Sequence, residues 1–378
     1  MSPAIWSVLG ALVALLVADR VWTARQPVTP RLYLPHPRLG WTLRPGLRRE
    51  IDLTRDGQVV WRHQIAINSR GFNDREWTAK RPGVTRVLVV GDSIVEARQV
   101  EREANFVAQA ERRLNAGGRY ELLNAGVAGW SVDSALNCFQ QIGRTLEPDI
   151  VVLGLFVGND LLEGDYETFR YLFGYAWDCR RYDKPAFNLV SGTLVRSNFP
   201  AWRNVSARLF SVELYERSRA FRRAYQAANR VMERRRNGSR LLKSRGISYN
   251  AHMEQTKGSE FFYRQTEAQI DALAAECRQA GCRFGVMLEP NFPLFYPLAP
   301  DGDRVSPQAL EYARDLVHYE TMQRRLEPKY PVLSLIEPLH AAGTTTTFRP
   351  ADPHLNQTGH QIVGDALARF VDQLDRPA

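Results

Sequence analysis

The stretch Arg86-Val87-Leu88-Val89-Val90-Gly91-Asp92-Ser93 decides the fold of this chain. Consecutive apolar residues closed by a turn are typical of a strand that is buried on both faces of a sheet. Further apolar runs follow and alternate with segments of helical spacing, which predicts a three-layer α/β/α sandwich around a parallel five-stranded sheet. The predicted strands are 86–90, 120–123, 150–156, 284–288 and 332–335, and the predicted helices are 104–114, 132–146, 266–280, 307–326 and 357–374.

Two segments stand outside this alternation. Residues 26–85 predict a small β-rich lead-in to the main domain, 86–378, and residues 161–258 predict an insertion within it. The first part of the insertion, from Tyr166 to Trp177, is rich in aromatic residues and is expected to be a loop that forms one wall of the substrate site. The second part predicts a long basic amphipathic helix. Its apolar stripe consists of Phe210, Leu214, Phe221, Tyr225, Ala228 and Met232.

The basic helix carries the excess charge of the chain. The formal net charge is +9, and residues 203–245 hold 13 Arg and Lys against 3 Glu, a difference of +10. A nucleic-acid-binding domain would spread basic charge over a face of the fold and place aromatic residues among the cations. Here the aromatic residues lie on the packing stripe. We therefore expect either a solvated helix that packs on the sheet domain or one that contacts anionic lipid or polymer, but no nucleic-acid partner.

The N-terminus carries an apolar run. Residues 4–18 read AIWSVLGALVALLVA, without a charge and without a small-residue cleavage site after them. We expect residues 1–25 to form an uncleaved membrane anchor, with a buried or interfacial helix as the alternative. Arg20 and Arg25 follow the run, so the positive-inside rule leaves the orientation open. The expected location of the main domain is extracytoplasmic.

Ser93 is the candidate nucleophile. It follows the first predicted strand, at the edge where parallel sheets bind their ligands, and backbone N–H groups at a helix start there can stabilise an oxyanion. Gly-Asp-Ser occurs in many turns, however. In addition, Val95 stands where the nucleophile elbow of an α/β-hydrolase has its second glycine.

Two further turns are predicted at the same edge of the sheet. The second strand is followed by NAGVAGWS, 124–131, in which Gly126 and Gly129 permit close approach of a ligand to the backbone, unless they serve helix packing alone. The third strand is followed by Gly158-Asn159-Asp160, where the Asn159 amide can point into the same crevice.

The candidate base comes from the C-terminal region. Asp352-Pro353-His354 stands just before the last predicted helix. His354 can take the proton of Ser93, and Asp352 can orient His354. His360 is a rival base, but it is predicted to lie inside the last helix.

Taken together, these blocks resemble the SGNH (GDSL-type) hydrolase family, which contributes Ser, Gly, Asn and His in this order along its chain. The resemblance covers residues 86–374 apart from the insertion. It implies a flavodoxin-like sheet, acyl-ester chemistry without a metal or cofactor, and an oxyanion hole made of the Ser93 and Gly129 N–H groups and the Asn159 side chain. Asp92, Asp160 and Trp130, which adjoin these blocks, are expected to bind substrate.

One spacing departs from the usual family pattern. Asp352 stands two residues before His354, whereas the family places its aspartate three before. This spacing is similar to that of bacterial polysaccharide O-acetylation enzymes, and the N-terminal segment resembles those of membrane-tethered members.

The sequence therefore predicts hydrolysis of acyl esters through an acyl-enzyme on Ser93, on an envelope carbohydrate or a lipid-like ester. Transfer of the acyl group to a glycan hydroxyl is an alternative, and a catalytically silent envelope-polymer binding factor is an alternative of another class. Asp352, His354 and His360 could ligate a metal, but no further ligand is evident. The four cysteines (Cys138, Cys179, Cys277 and Cys282) are interpreted as ordinary thiols.

Overall fold

The structure is a computed structural model that describes residues 3–24, 29–55, 58–115, 117–173, 182–197, 199–236, 249–291, 307–342, 347–349 and 352–376. The strands in these ranges are β1 (Tyr33–His36), β2 (Gly40–Leu43), β3 (Arg48–Arg55), β4 (Gln58–Ala66), β5 (Thr85–Gly91), β6 (Tyr120–Gly126), β7 (Ile150–Phe156), β8 (Phe187–Val190), β9 (Thr193–Arg196), β10 (Arg283–Glu289), β11 (Val332–Ser334), β12 (Phe348–Arg349) and β13 (Asp352–Leu355).

The α-helices are α1 (Pro3–Ala24), α2 (Ser93–Glu96), α3 (Phe106–Leu114), α4 (Val132–Gln141), α5 (Asp160–Glu163), α6 (Tyr166–Phe173), α7 (Ala201–Arg208), α8 (Tyr215–Arg217), α9 (Arg219–Arg236), α10 (Tyr249–Gln255), α11 (Ser259–Gln279), α12 (Pro307–Leu326), α13 (Ile336–Ala341) and α14 (Gln357–Asp375). Two 3₁₀ turns, Arg102–Ala104 and Gly143–Leu146, and one π-helical segment, Leu209–Leu214, complete the helical elements of the described ranges.

A five-stranded sheet forms the centre of the fold. Its order is β6-β5-β7-β10-β11, and every neighbouring pair is parallel. Counted along the chain, this is the order 2-1-3-4-5 of the flavodoxin-like fold. Helices α3 and α14 pack together on one face, and α4 packs with α11 on the other. The predicted three-layer sandwich is therefore confirmed.

Burial on both faces explains the apolar strands. All seven residues of β7 are buried, and so are all seven of β6. Successive side chains point to opposite faces of the sheet, and each face is covered by helices. Apolar residues are therefore favoured at every position of these strands. The observed strands match the predicted ones to within three residues at each end.

The insertion differs from its predicted form. Residues 166–173 are a helix, not a loop, and Phe169 and Phe173 are buried in the core, where Phe169 stacks on Trp41 with ring centroids 5.9 Å apart. The expected substrate wall is therefore wrong for these two side chains, and Tyr175 and Trp177 lie outside the described residues. Lys184 follows, fully buried, just before the β8–β9 hairpin.

The long basic helix is broken in the middle. Ser218 adopts an extended conformation between α8 and α9, and its Oγ accepts the N–H of Phe221 at 3.0 Å, which makes it an N-cap. The stripe residues on either side of this break still meet, with Phe210 and Phe221 6.4 Å apart between ring centroids. Among the described elements, helix α9 packs mainly against α1, α8 and the π-helical segment.

The apolar N-terminal run lies in helix α1. Among the described helices, none joins sufficient length to sufficient apolarity for a bilayer crossing. Leu15, Val13 and Val17 are 67%, 58% and 56% exposed, so this helix presents apolar side chains at its surface.

Candidate active site

Ser93 is held at the carboxyl end of β5 by a very short helix. Asp92 caps α2, because its Oδ1 accepts the N–H of Ile94 at 2.8 Å. The helix ends after one turn at Ala97, which has φ 52° and donates its N–H to the Ser93 carbonyl at 3.2 Å. The capping at both ends fixes the Ser93 backbone at the edge of the sheet.

Three glycines of neighbouring strands make room for this helix. A Cβ on Gly126 would lie 2.2 Å from the backbone nitrogen of Glu96. A Cβ on Gly91 or Gly154 would lie 2.4 or 2.6 Å from Val95 Cγ2. Helix α2 therefore rests directly on β5, β6 and β7, and Gly126 serves the packing of the nucleophile turn.

His354 reaches Ser93 from the C-terminal region. Its Nε2 lies 3.0 Å from Ser93 Oγ, and both side chains are partly buried. His354 belongs to β13, which pairs with β12 and leads directly into α14. Asn356 fixes this junction, because its side chain accepts the N–H of Gly359 at 3.0 Å and donates to the Phe348 carbonyl at 3.2 Å.

The other two predicted members of this region differ in outcome. Asp352 is the first residue of β13, and its side chain lies outside the described part of the chain, so its orienting role stays a prediction. His360 lies in the first turn of α14, is buried, and stacks on Phe106 with ring centroids 5.7 Å apart. The structure thus brings His354, and not His360, to Ser93.

The three predicted oxyanion donors lie at the ends of adjacent strands. Ser93 follows β5, the strand between β6 and β7, while Gly129 follows β6 and Asn159 follows β7. The N–H of Ser93 lies in the first turn of α2, where backbone N–H groups have no acceptor within the helix. Gly129 has φ 77°, a left-handed turn conformation that favours glycine. The Asn159 side chain donates to Glu163 Oε1 at 2.7 Å, and its amide has a second N–H.

Glu96 and Trp41 support the Gly129 turn, and sequence reasoning missed both. The buried Glu96 carboxylate accepts the N–H of Ala128 at 2.6 Å and the hydroxyl of Tyr33 at 2.7 Å. The Trp41 Nε1–H donates to the Ala128 carbonyl at 2.9 Å. Both backbone polar groups of Ala128, the residue before Gly129, are therefore held by hydrogen bonds. Two of these partners come from the lead-in, so no local spacing in the sequence signals the contact.

The three residues expected to contact substrate are all buried. Trp130 is 0% exposed and donates its Nε1–H to the Trp41 carbonyl at 3.2 Å. Asp160 is 1% exposed and accepts the N–H of Phe156 at 2.9 Å. Asp92 is also 1% exposed and caps α2. These three side chains stabilise the turns of the site from the interior, and their contact with substrate stays a prediction.

Buried carboxyl groups lie behind the nucleophile turn. Burial raises the pKa of Asp160 well above its usual range, and the charges of Asp92 and Glu163 raise it further. Burial likewise raises the pKa of Glu289 at the end of β10, with the Asp92 charge as a second cause. A Cβ on Gly154 of β7 would lie 2.7 Å from Glu289 Oε1. The Glu289 carboxyl therefore packs against β7, one of the strands on which α2 rests.

Potential metal ligands and thiols are spread through the fold. Within the described ranges, no three His, Cys, Asp or Glu side chains are grouped so that they could hold a metal ion. Cys138, Cys277 and Cys282 are free and buried, and Cys179 lies outside those ranges. Burial raises the pKa of the Cys138 thiol to about 12.

No protein-family model and no curated protein matches the chain. Similar solved structures include the acetyl xylan esterase AlAXEase, with TM-score 0.39, 15% identity and coverage of 76% of this chain and 99% of that one. A member of the lipolytic protein G-D-S-L family from Veillonella parvula has a TM-score of 0.39 and 11% identity, and the match covers 77% of this chain and 100% of that one. A catalytic mutant of the Geobacillus stearothermophilus acetylxylan esterase Axe2 has a TM-score of 0.38 and 12% identity, and the match covers 77% of this chain and 96% of that one.

Proposed function

We propose that this chain is a serine ester hydrolase of the SGNH (GDSL) type that cleaves acyl esters through an acyl-enzyme on Ser93. The observation that carries the proposal is the 3.0 Å contact between Ser93 Oγ and His354 Nε2 at the carboxyl edge of the parallel sheet. A serine within hydrogen-bond reach of an imidazole is the arrangement that activates a hydroxyl as nucleophile.

The reaction follows from the atoms at this edge. Ser93 Oγ attacks the ester carbonyl carbon while its proton passes to His354 Nε2. The carbonyl oxygen becomes an oxyanion, for which the Ser93 and Gly129 N–H groups and the Asn159 amide are the donors. The tetrahedral intermediate then collapses, the C–O bond to the alcohol breaks, and the alcohol takes the proton from His354. Water repeats the sequence on the acyl-enzyme and regenerates Ser93.

Two variants and a covalent probe test this proposal. Ser93→Ala and His354→Ala are each expected to lower kcat for 4-nitrophenyl acetate by a factor on the order of 10⁶, because the members of such a unit act together. His340→Ala changes an exposed histidine of α13 and serves as the control. A fluorophosphonate is expected to label Ser93 in the wild type. If Ser93→Ala retains wild-type turnover and the probe labels another residue, the proposal is wrong.

We propose that the substrate is an acylated envelope carbohydrate or a lipid-like ester. Release of the acyl group to water makes the chain a hydrolase, and release to a sugar hydroxyl would make it a transferase. Incubation with a polysaccharide carrying labelled acetyl groups, with and without an unlabelled glycan acceptor, separates these outcomes. If the chain is a hydrolase, the label is expected in free acetate in both samples. Label on the glycan acceptor would show that the chain is a transferase instead.

We further propose that the N-terminal helix and the insertion contact an anionic lipid surface. Trp202, Val205 and Leu209 occupy one face of the helix around α7 and are 67%, 62% and 50% exposed. Trp22 of α1 lies under the guanidinium groups of Arg219 and Arg223, 4.0 and 5.2 Å from its ring centroid. Exposed apolar side chains beside arginines are the composition that binds the headgroup region of anionic bilayers.

Flotation with vesicles tests the lipid contact. The chain is expected to float with vesicles that contain phosphatidylglycerol, and less with pure phosphatidylcholine. Val205→Glu is expected to weaken binding, whereas Val190→Glu, at a 54% exposed valine on the β8–β9 hairpin, is expected to leave it unchanged. Equal loss in both variants, or equal binding to both vesicle types, would contradict a specific anionic surface.

A further inference from the structure

Lys184 is a fully buried cation that lies in the insertion. The side chains of Lys184 and Asp133 are both 0% exposed, and Lys184 Nζ lies 2.8 Å from Asp133 Oδ1. An ion pair without access to water bears a large desolvation cost, which only good geometry and additional hydrogen bonds offset. The groups that bind the Lys184 ammonium group therefore indicate what this buried pair holds in place.

The ammonium group joins the two loops on either side of the nucleophile. Besides Asp133, Nζ donates to the Glu163 carbonyl at 2.8 Å and to Ser131 Oγ at 3.3 Å, so its three donors have three acceptors. Ser131 and Asp133 belong to the turn and helix start that follow β6, whereas Glu163 ends the short helix that follows β7. In the sheet, β5 with Ser93 lies between β6 and β7.

From each of these loops, a short path leads to a proposed oxyanion donor. Glu163 Oε1 accepts the side-chain amide of Asn159 at 2.7 Å, so the residue whose carbonyl binds Lys184 also holds Asn159. On the other side, Asp133 Oδ1 accepts the hydroxyl of Ser131 at 2.7 Å, and Ser131 is two residues from Gly129.

The surrounding elements hold Lys184 itself. A Cβ on Gly40, which has φ 88°, would lie 2.9 Å from Lys184 Cβ, so the lead-in packs directly on the lysine stem. Asn204 Nδ2 donates to the carbonyls of Asp183 and Gly40 at 3.0 and 2.6 Å. The ammonium nitrogen also lies 4.7 Å from the ring centroid of Phe169.

We propose that Lys184 is a positioning residue that sets the separation of the Gly129 and Asn159 donors across the oxyanion hole. Lys184 thereby supports the catalytic edge from the insertion, outside the parallel sheet, without being a reacting group itself. The inference rests on the proposed function, because it assigns Lys184 a role through the donors of that reaction. A lysine suits the task because one nitrogen can donate in three directions, which methionine of similar length cannot do.

The test separates positioning from mere stability. Lys184→Met alone leaves Asp133 buried and unpaired and can fail to fold, so the decisive variant is Lys184→Met with Asp133→Leu, which replaces the pair by apolar groups of similar size. This double variant is expected to unfold at a temperature close to that of the wild type, with kcat for 4-nitrophenyl acetate about 10²-fold lower and KM little changed. Lys257→Met is the control, because Lys257 pairs with Asp165 and Glu167 in the same region and not with Ser131 or Glu163.

Two further measurements, one of them independent of the activity assay, extend the test. Hydrogen exchange of the double variant is expected to accelerate in peptides covering 126–133 and 159–163, and not in the control. In an Asn159→Ala background, the additional loss of kcat on removing the Lys184–Asp133 pair is expected to shrink, since both changes act on one donor. Wild-type exchange in both peptides, or wild-type kcat in the stable double variant, would overturn the positioning role. Failure of the proposed function would instead be seen as full activity of Ser93→Ala.

Discussion

The carboxylate of Glu96 accepts the backbone N–H of Ala128 at 2.6 Å and so connects the nucleophile helix to the turn that carries Gly129. Glu96 ends the helix that Ser93 begins, so one short segment carries both the proposed nucleophile and a support for the proposed oxyanion hole. Tyr33 and Trp41 of the lead-in and Lys184 of the insertion also bind residues of the loops on either side of Ser93 or of its helix.

Replacing Glu96 by Gln is expected to impair both folding and turnover. Both carboxylate oxygens of Glu96 accept hydrogen bonds, from Ala128 and Tyr33, and an amide can accept at only one of its two ends. We expect the free energy of unfolding to fall by about 1–3 kcal/mol, together with a lower kcat. Urea unfolding and ester kinetics measure these changes. Glu101→Gln, at an exposed glutamate, is the control, and an unaltered Glu96→Gln would show that the contact contributes nothing.

Adding a methyl group at Gly126 is expected to displace the nucleophile helix. The new Cβ would lie 2.2 Å from the Glu96 nitrogen and 2.5 Å from the Val95 carbonyl carbon, and backbone atoms cannot rotate away. We expect Gly126→Ala to destabilise the fold by about 1–3 kcal/mol and to lower kcat. Gly117→Ala is the matched control, because nothing lies within 4 Å of its Cβ position. Comparable melting temperatures for the two variants would refute the tight packing of α2 on β6.

Asp92→Ala separates the capping role from the predicted substrate contact. Loss of the cap leaves the Ile94 N–H without its acceptor and is expected to cost about 0.5–2 kcal/mol of stability. Because Asp92 is buried, KM is expected to change little while kcat falls. A rise in KM with unaltered kcat and stability would restore the original expectation of substrate binding. Asp92→Asn should retain most of the cap, since asparagine accepts the same bond.

Glu289 is expected to make stability dependent on pH. Its pKa is raised by burial, so in the folded state it stays protonated at pH values where the unfolded chain has already ionised. The associated stability is therefore fully present below the ordinary carboxyl pKa and is lost as pH rises through the raised folded pKa.

The test of this dependence is a comparison of melting temperatures across pH. Glu289→Gln is expected to unfold at a higher temperature than the wild type, and the difference is expected to grow as pH rises. Glu254→Gln, at an exposed glutamate, should follow the wild type at every pH. A constant difference between Glu289→Gln and the wild type would show that Glu289 is ionised in the folded state.

Local pattern predicted the strands of the sheet and the two side chains that are proposed to react. The apolar runs that became β5, β6, β7 and β10 are nearly continuous, because strands covered on both faces bury every side chain, and a sequence displays this directly. Ser93 directly follows β5 and His354 stands just before α14, and these places beside regular elements singled them out as candidates.

Tertiary structure decided what surrounds these two residues. Burial of Trp130 and Asp160 depends on which side chains from distant segments meet them, and no local period encodes such partners. The same holds for Lys184, which is an ordinary surface residue by composition and a buried one only because the lead-in, α4 and α5 enclose it. The sequence by itself thus determined the buried strands and the candidate dyad, since the strands follow from the periodicity of single segments and the dyad from the turns beside them. Only the folded chain decided which polar groups support them, because the cost of burying a charge is offset by partners far away in sequence.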